Sequence, residues 1–142
     1  MARAPLPPSE IFDAILRDAA AEGATDLHLE PRDKCLDVRL RIDGRLVHQS
    51  SIGQSRRDSV IQAAKIAGHM DIAERRLPQD GQGLLAVGER QYHLRFSCVP
   101  AVNGESIVVR IIDERAGLRM PLTVLRNHQK LTLELQPVER LV

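Results

Sequence analysis

An α+β fold, an antiparallel sheet of about six strands with helices packed on it, is what three features of this sequence predict together. Hydrophobic spacing changes from a helical period to strict alternation just after Gly23. An Asp43-Gly44 pair stands between two alternating runs, the strongest short signal for a hairpin. A second stretch of helical spacing follows residue 55, and alternation returns after residue 83.

Taken in order, Ser9 is a candidate N-cap, and Ile11, Phe12, Ile15, Leu16 and Ala19 form a helical stripe that Gly23 closes. Leu27 and Leu29 then point one way along a strand while Asp26, His28 and Glu30 point the other, and Pro31 stops the ladder. Residues 36–42 and 45–48 make the hairpin across Asp43-Gly44. Arg39 and Arg41 lie opposite Val38, Leu40 and Ile42, where solvated side chains and ligand contacts read equally well. Ser55, with Asp58 three residues later, opens a second helix whose stripe is Val60, Ile61, Ala64 and Ala67, ending at Gly68. From Asp71 a short helical turn is expected, with Glu74 reaching back to complete a capping box and Pro78 ending it. Asp80-Gly81 reads as a turn. Residues 83–87 and 91–98 form a further hairpin with Gly88 at the bend. Tyr92, Leu94, Phe96 and Cys98 point inward, while His93, Arg95 and Ser97 point away. A last strand covers residues 106–112.

Composition narrows the function classes. The 142 residues are 43% apolar and 27% charged, enough for a real core. One Tyr, two Phe and no Trp leave no stacking platform for single strands, and a net charge of +1 is unlike a dedicated duplex binder, so no nucleic-acid partner is expected. Among the twenty basic residues only Lys34, Lys65 and Lys130 are Lys. That bias suits bidentate recognition of phosphate or carboxylate, and a GC-rich genome explains it equally well. Cys35 and Cys98 show no paired spacing and read as reduced thiols of a cytosolic protein; no apolar run is long enough to span a membrane.

Two groups of residues carry candidate chemistry. Asp26, His28 and Glu30 share a strand face, but same-face neighbours stand about 6 to 7 Å apart, too far for one strand to wrap a metal, so none is expected. A register that sets Arg95 against Arg110 places two like charges across a ladder, unfavourable by up to about 1 kcal/mol. Such a pair asks for an anion, or for a neighbouring Asp or Glu, between its members.

Four separated stretches resemble the N-terminal domain of the secretion ATPases that power type II secretion and type IV pili. The run Glu74 to Gly81 is similar to a Glu-x-Arg-x-Pro-Gln-Asp-Gly motif through Glu74, Arg76, Pro78, Gln79, Asp80 and Gly81. Ala24 to Pro31 resembles Ala-Ser-Asp-Ile-His-Ile-Glu-Pro through Asp26, His28 and Glu30, and Val38 to Gly44 resembles Val-Arg-x-Arg-Ile-Asp-Gly through Arg41, Asp43 and Gly44. The strands around Arg95 and Arg110 resemble x-x-Arg-x-Ser and Gly-Glu-x-x-Val-x-Arg, the second opening at Gly104-Glu105. The resemblance implies a PAS-like domain that regulates and oligomerises a hexameric ATPase, closing over the catalytic core of its own or a neighbouring subunit. It implies that Arg95 and Arg110 reach the nucleotide phosphates, that ATP and magnesium enter only with a catalytic domain, and that platform proteins of the inner membrane are partners of a cytoplasmic assembly.

Gln82 departs from that pattern, standing where many members carry Arg. Nowhere in the chain is there a Gly-x-x-x-x-Gly-Lys-Ser/Thr loop, so no catalytic residue and no ATP hydrolysis are expected of it alone. The organisation expected is a flexible lead over residues 1–8, the domain over 9–113, where the resemblance ends, and a tail over 114–142, linker-like or adding a strand at Leu131, Leu133 and Leu135. Other roles consistent with the sequence are a stand-alone PAS-like sensor or adaptor and a truncated paralogue that regulates a complete ATPase.

Overall fold

The computed structural model describes residues 6–114; residues 1–5 of the lead expected over 1–8, and the tail with its strand at Leu131, Leu133 and Leu135, lie outside them. Two helices and six strands follow one another as α1 (Pro8–Ala21), β1 (Asp26–Pro31), β2 (Cys35–Ile42), β3 (Arg45–Gly53), α2 (Gln54–Ala67), β4 (Gln79–Val87), β5 (Arg90–Ala101) and β6 (Gly104–Asp113). The strands form one antiparallel sheet in the order β3-β2-β1-β6-β5-β4. The expected α+β architecture is therefore the observed one.

Alternation turns into burial in the manner expected. Leu27 and Leu29 of β1, Val38 and Leu40 of β2, and Ile107 and Val109 of β6 are at most 2% exposed. They stand opposite one another in the antiparallel registers Leu27↔Leu40, Leu29↔Val38, Leu27↔Val109 and Leu29↔Ile107. Helices α1 and α2 pack on each other and on β1, and α2 also packs on β2 and β3. Phe12 of α1 meets Phe96 of β5 with ring centroids 6.3 Å apart. Burying one such aliphatic side chain contributes about 1.5 to 3 kcal/mol, so this layer supplies most of the folding energy. At the β2–β3 bend Asp43 and Gly44 both take positive φ, 52° and 80°, which is the hairpin geometry the pair predicts.

The described residues group into two compact units, one of residues 6–83 with 94–111 and one of residues 84–93 with 112–114. In the second, Arg90 pairs with Asp113 at 3.3 Å and His93 with Glu114 at 3.7 Å.

Both helix starts differ from expectation. Pro7, not Ser9, is the N-cap of α1 and has no capping side chain; Pro8 occupies the first helical turn, where its missing N–H costs nothing. Strand β3 runs on to Gly53 by pairing with β2 through a bulge, so α2 begins at Gln54 and Ser55 lies inside it. The expected helical turn after Asp71 does not form. Asp71 Oδ1 accepts from Ala73 N at 2.9 Å, and Glu74 Oε2 accepts forward from Arg76 N and Leu77 N instead of reaching back. Asp80 and Gly81 do not turn either, since both lie in β4.

Candidate functional site

With the helices on one side, the other side of the sheet is a layer of charge. The registers Asp26↔Arg41, His28↔Arg39 and Glu30↔Asp37 put β1 and β2 polar residues side by side, and Asp26↔Arg110 brings in β6. Ion pairs hold most of them. Asp37 meets His48 Nδ1 at 2.9 Å, Arg32 at 3.4 Å and Arg39 Nε at 3.5 Å. The last is an ion-pair distance without a hydrogen bond. Arg39 is thus paired and half-buried rather than a solvated side chain. Ser106 donates its hydroxyl to Glu30 Oε1 at 2.9 Å.

His28 sits between these rows. Burial holds its imidazole below the ordinary 6.5; Asp26 pulls the other way, and Arg41 and Arg39 reinforce the burial. Asp26, His28 and Glu30 do not converge on a point, and no group of three metal-binding side chains exists among the described residues.

One cavity of about 480 Å³ opens on this face, lined by Arg95 and Ser97 of β5, Arg110 of β6, Asp26 of β1, and Asp80 and Gln82 of β4. Arg95 is exposed and makes no ion pair among the described residues. Arg110, its side chain 66% exposed, donates from Nε to Asp26 Oδ1 at 3.3 Å. Two carboxylates, Asp26 and Asp80, line the cavity with the two arginines, and of these arginines Asp26 pairs with Arg110 alone among the described residues. Asp26 itself is buried and takes the Thr25 hydroxyl on Oδ2 at 3.1 Å, with Arg41 Nε at 3.8 Å. Chemically, the cavity offers two guanidinium groups whose terminal N–H groups have no partner among the described residues, beside hydroxyl and amide donors and the carboxylates of Asp26 and Asp80. That set suits a polyanion such as a phosphate chain.

The other motif residues build scaffold. Gln79 closes the loop before β4: its Oε1 accepts from Asp71 N at 2.8 Å and its Nε2 donates to the carbonyls of Asp71 and Glu74. Lys65, fully buried, donates to the Glu74 carbonyl at 2.7 Å and to Glu105 Oε2 at 2.8 Å. The Cys98 thiol donates to the same Glu105 oxygen, and burial, with Glu105 beside it, pushes that thiol up to about 12. Arg41 Nη1 donates to the Gly44 carbonyl at 3.0 Å and so ties down the β2–β3 turn that Asp43 opens. Arg76 and Pro78 are exposed in the loop, and Gly104 takes φ 140° where β6 begins.

Sequence reasoning missed Lys65, a buried cation next to Ala64 in the apolar stripe of α2, and it missed Ser97 as a wall of the cavity.

The sequence profile of the family described as Type II/IV secretion system protein matches residues 3–138. The chain belongs to this family. Within the Type II/IV secretion system proteins, it is 40% identical over 107 residues to Type II secretion system protein E of Pseudomonas aeruginosa, covering 75% of this chain and 21% of that protein. It is 36% identical to Type II secretion system ATPase E of Vibrio cholerae over 75% of the chain and 21% of that protein. To the type IV pilus assembly ATPase PilB of Thermus thermophilus it is 39% identical over 73% of the chain and 12% of that protein. The chain therefore spans about a fifth or less of the length of these relatives and corresponds to an N-terminal domain of the secretion ATPases. The family match also runs past residue 113, so the likeness does not end where the motifs do.

Proposed function

We propose that this domain belongs to a type II secretion or type IV pilus assembly ATPase and supplies Arg95 and Arg110 to the phosphates of ATP held at a catalytic core. That core is supplied by the same or a neighbouring subunit of a homo-hexamer, which also brings the magnesium. In this reading the domain regulates turnover: hydrolysis proceeds when its open sheet face closes on the nucleotide. Platform proteins at the inner membrane are the wider partners, and the assembly works on the cytoplasmic side. The observation that carries the reading is the sharing of one cavity by Arg95 and Arg110, both exposed, with Asp26 paired to Arg110 and Asp80 also in the lining.

The test is turnover in an intact ATPase carrying this domain. Arg95→Ala or Arg110→Ala lowers ATP hydrolysis by about 10³-fold, as loss of an arginine that stabilises a transferring phosphoryl group does, while the melting temperature stays within a degree or two. Full turnover in both variants, or loss only through unfolding, refutes the assignment.

A further inference from the structure

Asp26 contacts Arg110 in an unusual way for an ion pair that matters only to stability. A carboxylate that simply neutralises an arginine pairs best with two parallel hydrogen bonds, which consume the guanidinium fork. Here a single oxygen, Oδ1, takes Nε alone at 3.3 Å. Of the five N–H donors of a guanidinium, the four on the terminal nitrogens keep no partner among the described residues.

The carboxylate is also immobilised. Its side chain is 9% exposed against 66% for Arg110. Its second oxygen is held by the Thr25 hydroxyl at 3.1 Å and approached by Arg41 Nε at 3.8 Å, and Arg41 is in turn anchored on the Gly44 carbonyl. Register places Asp26 directly opposite Arg41 on one side and Arg110 on the other. A buried acceptor on the flank of an exposed guanidinium restricts its rotation and leaves its fork presented to the cavity that both residues line.

We propose that Asp26 is a positioning residue: it aims the Arg110 fork at an incoming phosphate, so that Arg110 is ordered before ligand arrives whereas Arg95 is not. The proposal rests on the reading of Arg110 as a phosphate contact. It differs from a simple counter-charge role, in which removing the carboxylate would make the cavity more positive and tighten nucleotide binding.

The experiment measures steady-state ATP hydrolysis in an intact ATPase carrying this domain, for Asp26→Asn, Asp26→Ser, Arg110→Ala and the Asp26→Asn/Arg110→Ala double variant, with Arg17→Ala on α1 as the control. Misaiming a group by about 1 Å costs about 10²-fold, so both Asp26 variants should lose kcat by about that factor with KM within about twofold. The double variant should be no slower than Arg110→Ala alone, because the two residues act as one unit. Full activity of Arg110→Ala refutes the phosphate reading itself. A slow Arg110→Ala with Asp26 variants at full rate, or with lowered KM, or with additive losses in the double variant, overturns the positioning role and leaves that reading standing. Unfolding of both Asp26 variants by circular dichroism overturns it too, since Asp26 would then be a residue of the fold.

Discussion

On the helix side of the sheet, Leu27, Val38, Leu40 and Val109 are at most 2% exposed, and α1 and α2 cover that side. On the other side Asp26, Asp37, Arg39, Arg41 and Arg110 stand in the same strands, one residue out of phase, and neither α1 nor α2 is the element that covers them. The first side is specified by volume, because any apolar group of similar size satisfies it. The second is specified by pairing. Asp26 and Asp37 each pair with arginines and Glu30 takes the Ser106 hydroxyl, which leaves Arg95 and the outer fork of Arg110 without an acid among the described residues. The difference teaches where function is free to sit: the apolar face is saturated by packing, while the polar face ends with guanidinium N–H groups that no acid takes among the described residues.

Breaking the covered side should have the larger effects, and the largest is electrostatic. Lys65 is a charge inside that layer, so Lys65→Ala strands the buried Glu105 carboxylate and should cost about 3 to 5 kcal/mol in urea melts. Adding Glu105→Gln should recover part of that loss. A double variant as unstable as the sum of its singles would show that the pair is not coupled. Next come Leu94→Ala and Val109→Ala, each expected to lose about 2 to 4 kcal/mol by opening cavities in a core with few aromatics to collapse into them.

The open side should respond weakly to the same probes. Arg39→Ala removes one of three partners of Asp37 and should cost at most about 1 kcal/mol; a loss as large as that of Leu94→Ala would erase the distinction between the faces. Acid sharpens the comparison further. His28 has a folded-state pKa below its ordinary 6.5, so the unfolded chain binds its proton more readily, and the stability it contributes is complete above 6.5 and is lost as pH falls below that value. His28→Gln should therefore flatten the stability profile between about pH 7 and pH 5; equal slopes in the two proteins would show that the imidazole is not desolvated.

How much of this was legible beforehand follows the range of the interactions. The strands, the Asp43-Gly44 hairpin, the face that Asp26, His28 and Glu30 share, and the arginines of the cavity were readable, because a period of 2 assigns faces without knowledge of the partner strand. Lys65 was not readable. Its burial depends on Glu105, 40 residues away, and on the Glu74 carbonyl, and no local pattern announces either. The Asp71 to Pro78 loop misled because Asp and Glu three apart carry a capping signature, whereas Gln79 supplies the hydrogen bonds that a helix would have used. The start of α2 misled for a similar reason: pairing with β2 kept the chain extended up to Gly53 before the Ser55 signature was reached.

Gly81 gives the cavity an unusual wall. On one side it lines the cavity, and on the other a Cβ placed on it would lie 2.2 Å from the Gly68 carbonyl oxygen at the end of α2. At that point the strand backbone lies directly against the Gly68 carbonyl and the Met70 side chain, with no room for a side chain of its own. An alanine at 81 would therefore act as a shim, forcing the strand away from the end of α2 and changing the width of the opening from behind.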